Sequence, residues 1–262
     1  MKAKIILDGE KPKVSYAEAR KALRTAGVSV TAKRPDIGVV VGGDGVFSRV
    51  GRLESIPLLF VGIRSTSATD SKAYLAAAYF DELPSVLREI SAGRFRVEEY
   101  RRLEVLKNGK SLGTVFTDVY LQRGADSNCI RYKVKVSGKG IEIDEAAIGD
   151  GVVVSTAAGS TGYFSYPDRV RGGDLDPAGH TALGRDQVGI CHILPTYTER
   201  RATGGHPLRY TVPWGCRVEL SVTRPADARL YGVGRGRGGI RVSTRDVITV
   251  SASPETTKLV VL

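Results

Sequence analysis

Apolar and polar positions follow two different rhythms along the 262 residues of this chain. In the first stretch, strand and helix patterns alternate. KAKIILD reads as a strand. Ala19, Ala22, Leu23 and Ala26 then recur at helical spacing, opened by a Ser15/Glu18 capping box and closed by Gly27. A short VSVTA strand follows. IGVVV is apolar at every position and rich in β-branched residues, the mark of a parallel strand buried on both faces, and LLFVGI repeats it after a helical turn beyond Gly45. The segment SKAYLAAAYFDEL is expected to be helical, broken at Pro84 and resumed in SVLREI before Gly93. Strand and helix in this order predict a parallel sheet with helices on its faces.

From Val97 the rhythm shortens. RLEVLKNGKSLGTVFTDVYLQRG and CIRYKVKVSGKGIEI are alternating segments bent at NGK and SGKG, as β-hairpins are. Residues 97 to 230 therefore read as mainly β, and IRVSTRDVITVSAS and KLVVL add closing strands. Internal repeats, low-complexity linkers and long charge blocks are absent from the sequence. The pattern predicts two interleaved domains, an α/β domain over 1–95 and a mainly β domain over 96–245, without a flexible tether.

Charge and cysteine content narrow the chemistry. A formal net charge of +11 favours anionic partners, nucleic acid and phosphorylated metabolites among them. The cations are spread along the chain and the usual aromatic stacking motifs are missing, so nucleic acid ranks last. The longest apolar run, IPLLFVGI, falls far short of the roughly 18 residues of a spanning helix. With no N-terminal apolar region before a small-residue cleavage site, the chain reads as cytoplasmic. Cys129, Cys191 and Cys216 are too few and scattered for a disulfide framework. Cys191, His192, His206 and Cys216 match no common zinc spacing and are expected to fill ordinary core and surface roles.

Two loops carry the candidate chemistry. DIGVVVGGDGVFSRV drives a buried strand into Gly42, Gly43, Asp44 and Gly45. At the carboxyl end of a parallel strand, such glycines are expected to take backbone angles closed to other residues and to let phosphate oxygens reach main-chain N–H groups. Neither G-x-x-x-x-G-K-S/T nor the dinucleotide fingerprint G-x-G-x-x-G is present. A tight turn is the plainer reading, since Gly and Asp are common turn residues. A carboxylate beside a phosphate cradle has a purpose if it takes a proton from a hydroxyl or holds Mg²⁺, and phosphoryl transfer to an alcohol needs both services. The second loop, GDGVVVSTAAGSTGY, runs from Asp150 through a short strand to Ser155, Thr156, Ser160, Thr161, Gly162 and Tyr163. Its hydroxyls and glycine N–H groups suit a ribose or phosphate, and Tyr163 suits packing on a base; the alternative is a Ser/Thr-rich β-turn.

Together these loops resemble the NAD kinase family, in which a GGDG loop precedes a GDG turn, a strand and an ST-x-x-GSTAY loop. Thr117-Asp118 falls where the family has Asn-Glu or Asn-Asp, Gly172-Gly173 matches a glycine pair, and HPLRYTVP is similar to a later segment, so the resemblance spans nearly the whole chain. It implies a Rossmann-like N-terminal domain, a β-rich C-terminal domain, a final segment of about 246–262 returning to the first, and assembly as a homodimer or homotetramer. It also implies transfer of the γ-phosphoryl of ATP, or a phosphoryl of polyphosphate, to the 2′-hydroxyl of the adenosine ribose of NAD, with Mg²⁺ or another divalent cation. Carried over by position, Asp44 becomes the base, with Gly42, Gly43, Gly45 and Arg64 near the phosphates. Asp44, Gly45, Tyr74, Thr117, Asp118, Asp150, Ser160, Thr161, Gly162 and Tyr163 become the dinucleotide contacts.

Several positions depart from the family pattern. Val46 replaces the threonine of GGDGT, and GIRSTSATDSKAYL replaces G-I-N-x-G-x-x-G-F-L, so that Arg64 takes the asparagine position. Allowing four inserted residues, Ala73-Tyr74-Leu75 stands in for Gly-Phe-Leu and Tyr74 covers the adenine; otherwise Tyr74 is a core residue on a helix face. Thr117 lacks the amide's combined donor and acceptor. Arg235 and Arg237 replace a D-G-Q-like turn, as a solvated hairpin tip, a phosphate clamp or an RNA contact. These changes leave open a different hydroxyl acceptor, lipid or other, and a nucleotide-binding protein that performs no transfer.

Overall fold

The capping box forms as the sequence pattern predicts. In a computed structural model describing residues 1–9, 12–64, 71, 73–170, 183–200, 205–234 and 238–262, strand β1 (Lys2–Leu7) leads to helix α1 (Tyr16–Thr25). The Glu18 N–H donates to Ser15 Oγ at 3.2 Å, and the Ser15 N–H donates to the Glu18 carboxylate at 2.8 Å. Ala19 and Leu23 face the core, and Gly27 turns the chain out with φ +74°. Ser15→Ala removes the bonds made by the hydroxyl, leaving only the backbone N–H to Glu18, and is expected to cost about 1 kcal/mol in urea unfolding; an unchanged midpoint would show that the first turn holds without its cap.

Strands β2 (Ser29–Val30), β3 (Ile37–Val41) and β4 (Leu58–Gly62) complete a parallel sheet in the order β4-β3-β1-β2, with helix α2 (Asp44–Gly51) between β3 and β4. Every residue of β3 and β4 is buried, as two-sided apolar runs require. The segment from residue 73 departs from the helical expectation. Ala73 takes φ +50°, Ala78–Tyr79 forms a short parallel strand β5 on β4, and helix α3 starts only at Leu83 and ends at Ser91. Pro84 lies in the first turn of α3, where a missing N–H leaves no bond unmade, so it helps begin this helix rather than break one. Leu259 of the last segment pairs in parallel with Leu58, and Thr257 Oγ1 donates to the Gly51 carbonyl at 2.7 Å, tying the end of α2.

By contacts the chain divides into Met1–Tyr100 with Thr256–Leu262, and Arg101–Glu255. The second unit takes up strand β6 (Arg96–Lys107) and continues through β7 (Lys110–Val115), β8 (Asp118–Arg123), β9 (Ile130–Gly138), β10 (Ile141–Gly149) and β11 (Gly151–Ser155). A one-turn helix α4 (Tyr166–Val170) precedes β12 (Gln187–Ile193), β13 (Tyr197–Arg200), β14 (Arg209–Pro213), β15 (Arg217–Val222), β16 (Ala228–Tyr231), β17 (Ile240–Val242) and β18 (Val247–Val261). At the NGK bend, Asn108 and Gly109 both take positive φ, +51° and +78°, matching the right-handed twist of the flanking strands. One layer runs β13-β10-β9-β15-β18 and the other β14-β12-β11-β8-β16-β17. Tyr132, Val134, Val218 and Leu220 of the first meet Val119, Leu121, Val152 and Ile190 of the second in one apolar core. An α/β unit with a parallel sheet and a mainly antiparallel β unit are thus the architecture the sequence pattern predicts.

Candidate active site

In the first unit, β3 delivers the chain into the GGDG loop. The Gly42 N–H donates to the Val61 carbonyl at 3.0 Å, and Gly43, extended at φ −109° and ψ −179°, caps α2. Its carbonyl accepts from the N–H groups of Val46 and Phe47 at 2.9 and 3.1 Å. Phe47 stacks on Phe60 of β4 with centroids 4.5 Å apart and planes 4° from parallel, which anchors the helix start under the loop. None of Gly42, Gly43 and Gly45 takes a positive φ, contrary to the expectation of backbone angles closed to other residues. The chain passes directly from extended strand into helix, so close approach is what demands glycine. A Cβ on Gly42 would lie 2.9 Å from Val46 Cγ2, and one on Gly43 would lie 2.5 Å from Ser71 Oγ, whereas one on Gly45 meets nothing within 4 Å.

Asp44 is the first residue of α2 and is half-buried. Its Oδ1 accepts from the Leu75 N–H at 3.0 Å, and its Oδ2 accepts from Ser71 Oγ at 3.3 Å. Ser71 Oγ also accepts from the N–H groups of Asp44 and Ala73, both at 3.2 Å. The carboxylate therefore stands at a helix N-terminus, where backbone dipoles favour negative charge and anions. Tyr74, half-buried, sits in the turn beside Leu75 rather than on a helix face. Arg64 is exposed: it donates to Asp81 at 3.2 Å and to Glu82 at 2.5 Å, with its guanidinium 4.1 Å from the Tyr79 ring centroid.

In the second unit, the loop after β11 is tied to the start of β8. Ser155 pairs with Asp118 in register, the Thr156 N–H donates to the Thr117 carbonyl at 2.8 Å, and Thr156 Oγ1 donates to the Phe116 carbonyl at 2.6 Å. Two short 3₁₀ turns, Ala157–Gly159 and Tyr163–Ser165, fold the small-residue loop back. A Cβ on Gly159 would lie 2.4 Å from the Thr117 carbonyl oxygen, and one on Gly162 would lie 3.1 Å from Asp118 Oδ2, so only small residues bring this loop against the acid. Burial pushes the Asp118 carboxyl up to about 6, with the Thr117 hydroxyl 3.5 Å away pulling weakly the other way. Ser160 is buried, Thr161 half-buried, and Gly162 and Tyr163 exposed.

These contacts gather Thr117, Asp118 and residues 160–163 around one end of β8 and β11. Asp150 lies at the other end of β11, about 15 Å away by the rise of a strand. There its N–H donates to the Ile193 carbonyl and its carboxylate accepts from Arg123 Nε at 2.8 Å. Sequence reasoning missed Tyr120 and Tyr231, which stand beside this cluster. Tyr120 carried a signal, since in DVYLQR it alternates with buried Val119 and Leu121 on the face of Asp118. Tyr231 is recruited by strand pairing with Tyr120, which no local pattern announces. Arg235, Arg237 and Gly172-Gly173 lie outside the described residues. The four zinc-capable side chains take separate partners. Burial drives the Cys191 thiol up to about 12, Cys216 Sγ donates to the Gly138 carbonyl, His192 Nδ1 meets the Tyr132 hydroxyl, and the His206 ring meets the Thr198 carbonyl.

No protein-family model matches the chain. It is 30% identical over 233 residues, 86% of the chain and 72% of the relative, to the NAD kinase of Geobacter sulfurreducens. The chain belongs to the NAD kinase family. A further NAD kinase, that of Thermoplasma volcanium, is 26% identical over 258 residues, covering 95% of this chain and 82% of the relative. Among solved structures, an Archaeoglobus fulgidus NAD kinase in complex with ATP superposes with a TM-score of 0.68 at 19% identity, over 99% of this chain and 93% of that one. A yeast NADH kinase complexed with NADH gives 0.71 at 14% identity, over 100% and 83%. The NAD kinase fold thus persists where most side chains have changed.

Proposed function

We propose that this NAD kinase family member transfers the γ-phosphoryl of ATP to the 2′-hydroxyl of the adenosine ribose of NAD, giving NADP. The observation that carries the reading is Asp44, a carboxylate at the N-terminus of α2 among glycines that admit no side chain at 42 and 43. In the transfer, the bond from the ribose oxygen to the γ-phosphorus forms, the bond from that phosphorus to the bridging oxygen of ADP breaks, and the hydroxyl proton passes to Asp44. Such transfers depend on in-line positioning and charge neutralisation more than on covalent chemistry. Gly45, where a Cβ would meet nothing within 4 Å, would leave the phosphates room at the positive end of α2, with Gly42 and Gly43 letting the loop pack on Val46 and Ser71, and Arg64 would exchange an exposed carboxylate pair for phosphate oxygens.

Thr117, Asp118, Ser160, Thr161, Gly162, Tyr163 and Tyr74 would hold the dinucleotide, with Asp150 serving it from a separate position. Among the described residues no group of three or more His, Cys, Asp and Glu side chains is arranged to hold a metal ion. Mg²⁺ would arrive on the ATP phosphates, where the Asp44 carboxylate could help hold it, and would neutralise charge developing during transfer. The same reading has the enzyme act as a homodimer or homotetramer in the cytoplasm. Among the described residues no helix is long and apolar enough to cross a membrane.

Incubation of the purified chain with ATP, Mg²⁺ and NAD is expected to yield NADP, with polyphosphate as the comparison donor; no NADP from either donor would refute the reading. Asp118 accepts from two ribose hydroxyls, and most strongly, when it is ionised, and its value of about 6 puts the change in the accessible range. The KM for NAD should therefore rise roughly tenfold from about pH 7.5 to about pH 5 as the carboxyl protonates. A flat profile would remove Asp118 from the binding set.

A further inference from the structure

The GGDG loop follows the carboxyl end of β3, and the amino end of the same parallel sheet carries a second opening. Lys2 pairs with Ser29 at that end, five positions before Leu7 pairs with Val41, so roughly 16 Å of strand separates it from the loop. There α1 closes in a turn that needs Gly27. With φ +74°, the Gly27 N–H donates to the Arg24 carbonyl at 2.9 Å, and the Val28 N–H donates to the Leu23 carbonyl at 3.0 Å. These bonds satisfy carbonyls of the last helical turn and send the chain back along the helix into β2. A pocket of about 400 Å³ opens at this return, lined by Arg20, Arg24, Gly27, Val28, Ser29 and Val30. A Cβ on Gly27 would meet nothing within 4 Å, so the turn leaves the pocket uncovered.

Two features of the lining point to an anion. Arg20 and Arg24 are exposed and lie one helical turn apart, where like charges repel and weaken a free helix. Among the described residues neither guanidinium has a carboxylate partner. Glu18, the acid of α1, is held by the Ser15 N–H and hydroxyl at the other end of the helix. Asp36, which the strand ladder brings to Lys2, accepts from the Lys2 N–H at 2.7 Å and does not line the pocket. The second feature is a backbone donor. The Ser29 and Thr31 N–H groups turn inward to the carbonyls of Met1 and Ala3, at 3.1 and 2.9 Å, which leaves the Val30 N–H between them facing the free edge of the sheet.

We propose that this pocket binds a small phosphate monoester, its phosphate gripped by the Arg20 and Arg24 guanidinium groups and the Val30 N–H, at a site apart from the phosphoryl-transfer loop. Two planar forks match the three terminal oxygens and double charge of a phosphate, whereas a single carboxylate would occupy only one fork. The volume falls in the roughly 300–1,000 Å³ range of small-molecule sites and exceeds the needs of phosphate alone. Buried Val28 and half-buried Val30 give the remainder of the ligand an apolar floor, and the exposed Ser29 offers it a hydroxyl.

Amide NMR of the ¹⁵N-labelled full chain, titrated with glycerol 3-phosphate at constant ionic strength, tests the site. The Gly27, Ser29 and Val30 signals are expected to shift together and saturate with a Kd of about 1 mM, while the signals of Gly43 to Gly45 report any binding at the GGDG loop separately. Arg20→Gln combined with Arg24→Gln should weaken the binding at least about tenfold and leave NADP formation and unfolding temperature at their wild-type values. Arg20→Lys combined with Arg24→Lys keeps the charge and loses the forks, and should also weaken it severalfold. Shifts that fail to saturate, that persist in the glutamine variant, or that are equally strong in the lysine variant overturn the site. A phosphoserine peptide that binds more tightly than glycerol 3-phosphate overturns the small-molecule assignment in favour of a protein partner.

Discussion

Asp44→Asn should lower kcat for NADP formation by about 10²- to 10⁴-fold, the usual worth of a positioned general base. The asparagine keeps an oxygen that can accept from the Leu75 N–H, now 3.0 Å from Oδ1, and it retains a polar group toward Ser71. Unfolding temperature should therefore stay close to wild type, which separates loss of chemistry from loss of the fold. Asp44→Ala removes the acceptor altogether and should free the Ser71 to Leu75 contacts as well, giving an equal loss of turnover with a modest loss of stability. The decisive comparison is kcat against unfolding temperature for the two variants. Wild-type turnover in a folded Asp44→Asn protein would exclude this residue as the base.

Glu145→Ala should be the most damaging substitution in the second unit, costing about 3–5 kcal/mol, because it leaves buried partners of a charge without their counterpart. Glu145 and His192 are both 0% exposed. The Glu145 carboxylate accepts from the Tyr210 hydroxyl at 2.6 Å and from Arg200 Nε at 2.8 Å, while His192 Nε2 lies 3.4 Å from it. On the far side of the imidazole, Nδ1 meets the Tyr132 hydroxyl at 2.9 Å, and that hydroxyl donates to the Gly151 carbonyl at 2.5 Å. The network thus ties β9, β10, β12, β13 and β14 to the start of β11, next to Asp150. Burial would raise the Glu145 carboxyl, yet hydrogen bonds from His192, Tyr210 and Arg200 hold it below the ordinary value. A lowered carboxyl stabilises the fold above its unfolded value, and that contribution is lost as pH falls through the folded value. Urea unfolding should show the wild type losing stability in acid, and Glu145→Gln should flatten that acid dependence. A wild-type urea midpoint in Glu145→Ala would mean that the network contributes nothing.

Elements whose stability is local or two-sided are plain in the sequence, and those that depend on a remote partner are not. IGVVV and LLFVGI could only be buried parallel strands, Ser15 and Glu18 opened a helix, and NGK closed a hairpin, because each carries its own reason in its residues. SKAYL misled because its apolar spacing suits a helix while its N–H groups serve other ends: Leu75 donates to Asp44, thirty-one positions away. Helical propensity at such a site yields to a carboxylate that must be held. The glycines of the GGDG loop were legible as a close-approach site, but not the cause, which is contact with Val46 and Ser71 rather than left-handed backbone. Asp118 stood out only through the family resemblance, at the Asn-Glu or Asn-Asp position, whereas its tyrosine surroundings arise from the pairing of β8 with β16, which lie a hundred residues apart.

The most direct test is phosphorus NMR of the product formed from ATP, Mg²⁺ and NAD. The account predicts one new phosphomonoester signal, coupled to the 2′-hydrogen of the adenosine ribose, growing as ADP appears and vanishing with Asp44→Asn. ADP release with no phosphorylated dinucleotide, or a phosphoryl group on any other oxygen, would contradict it.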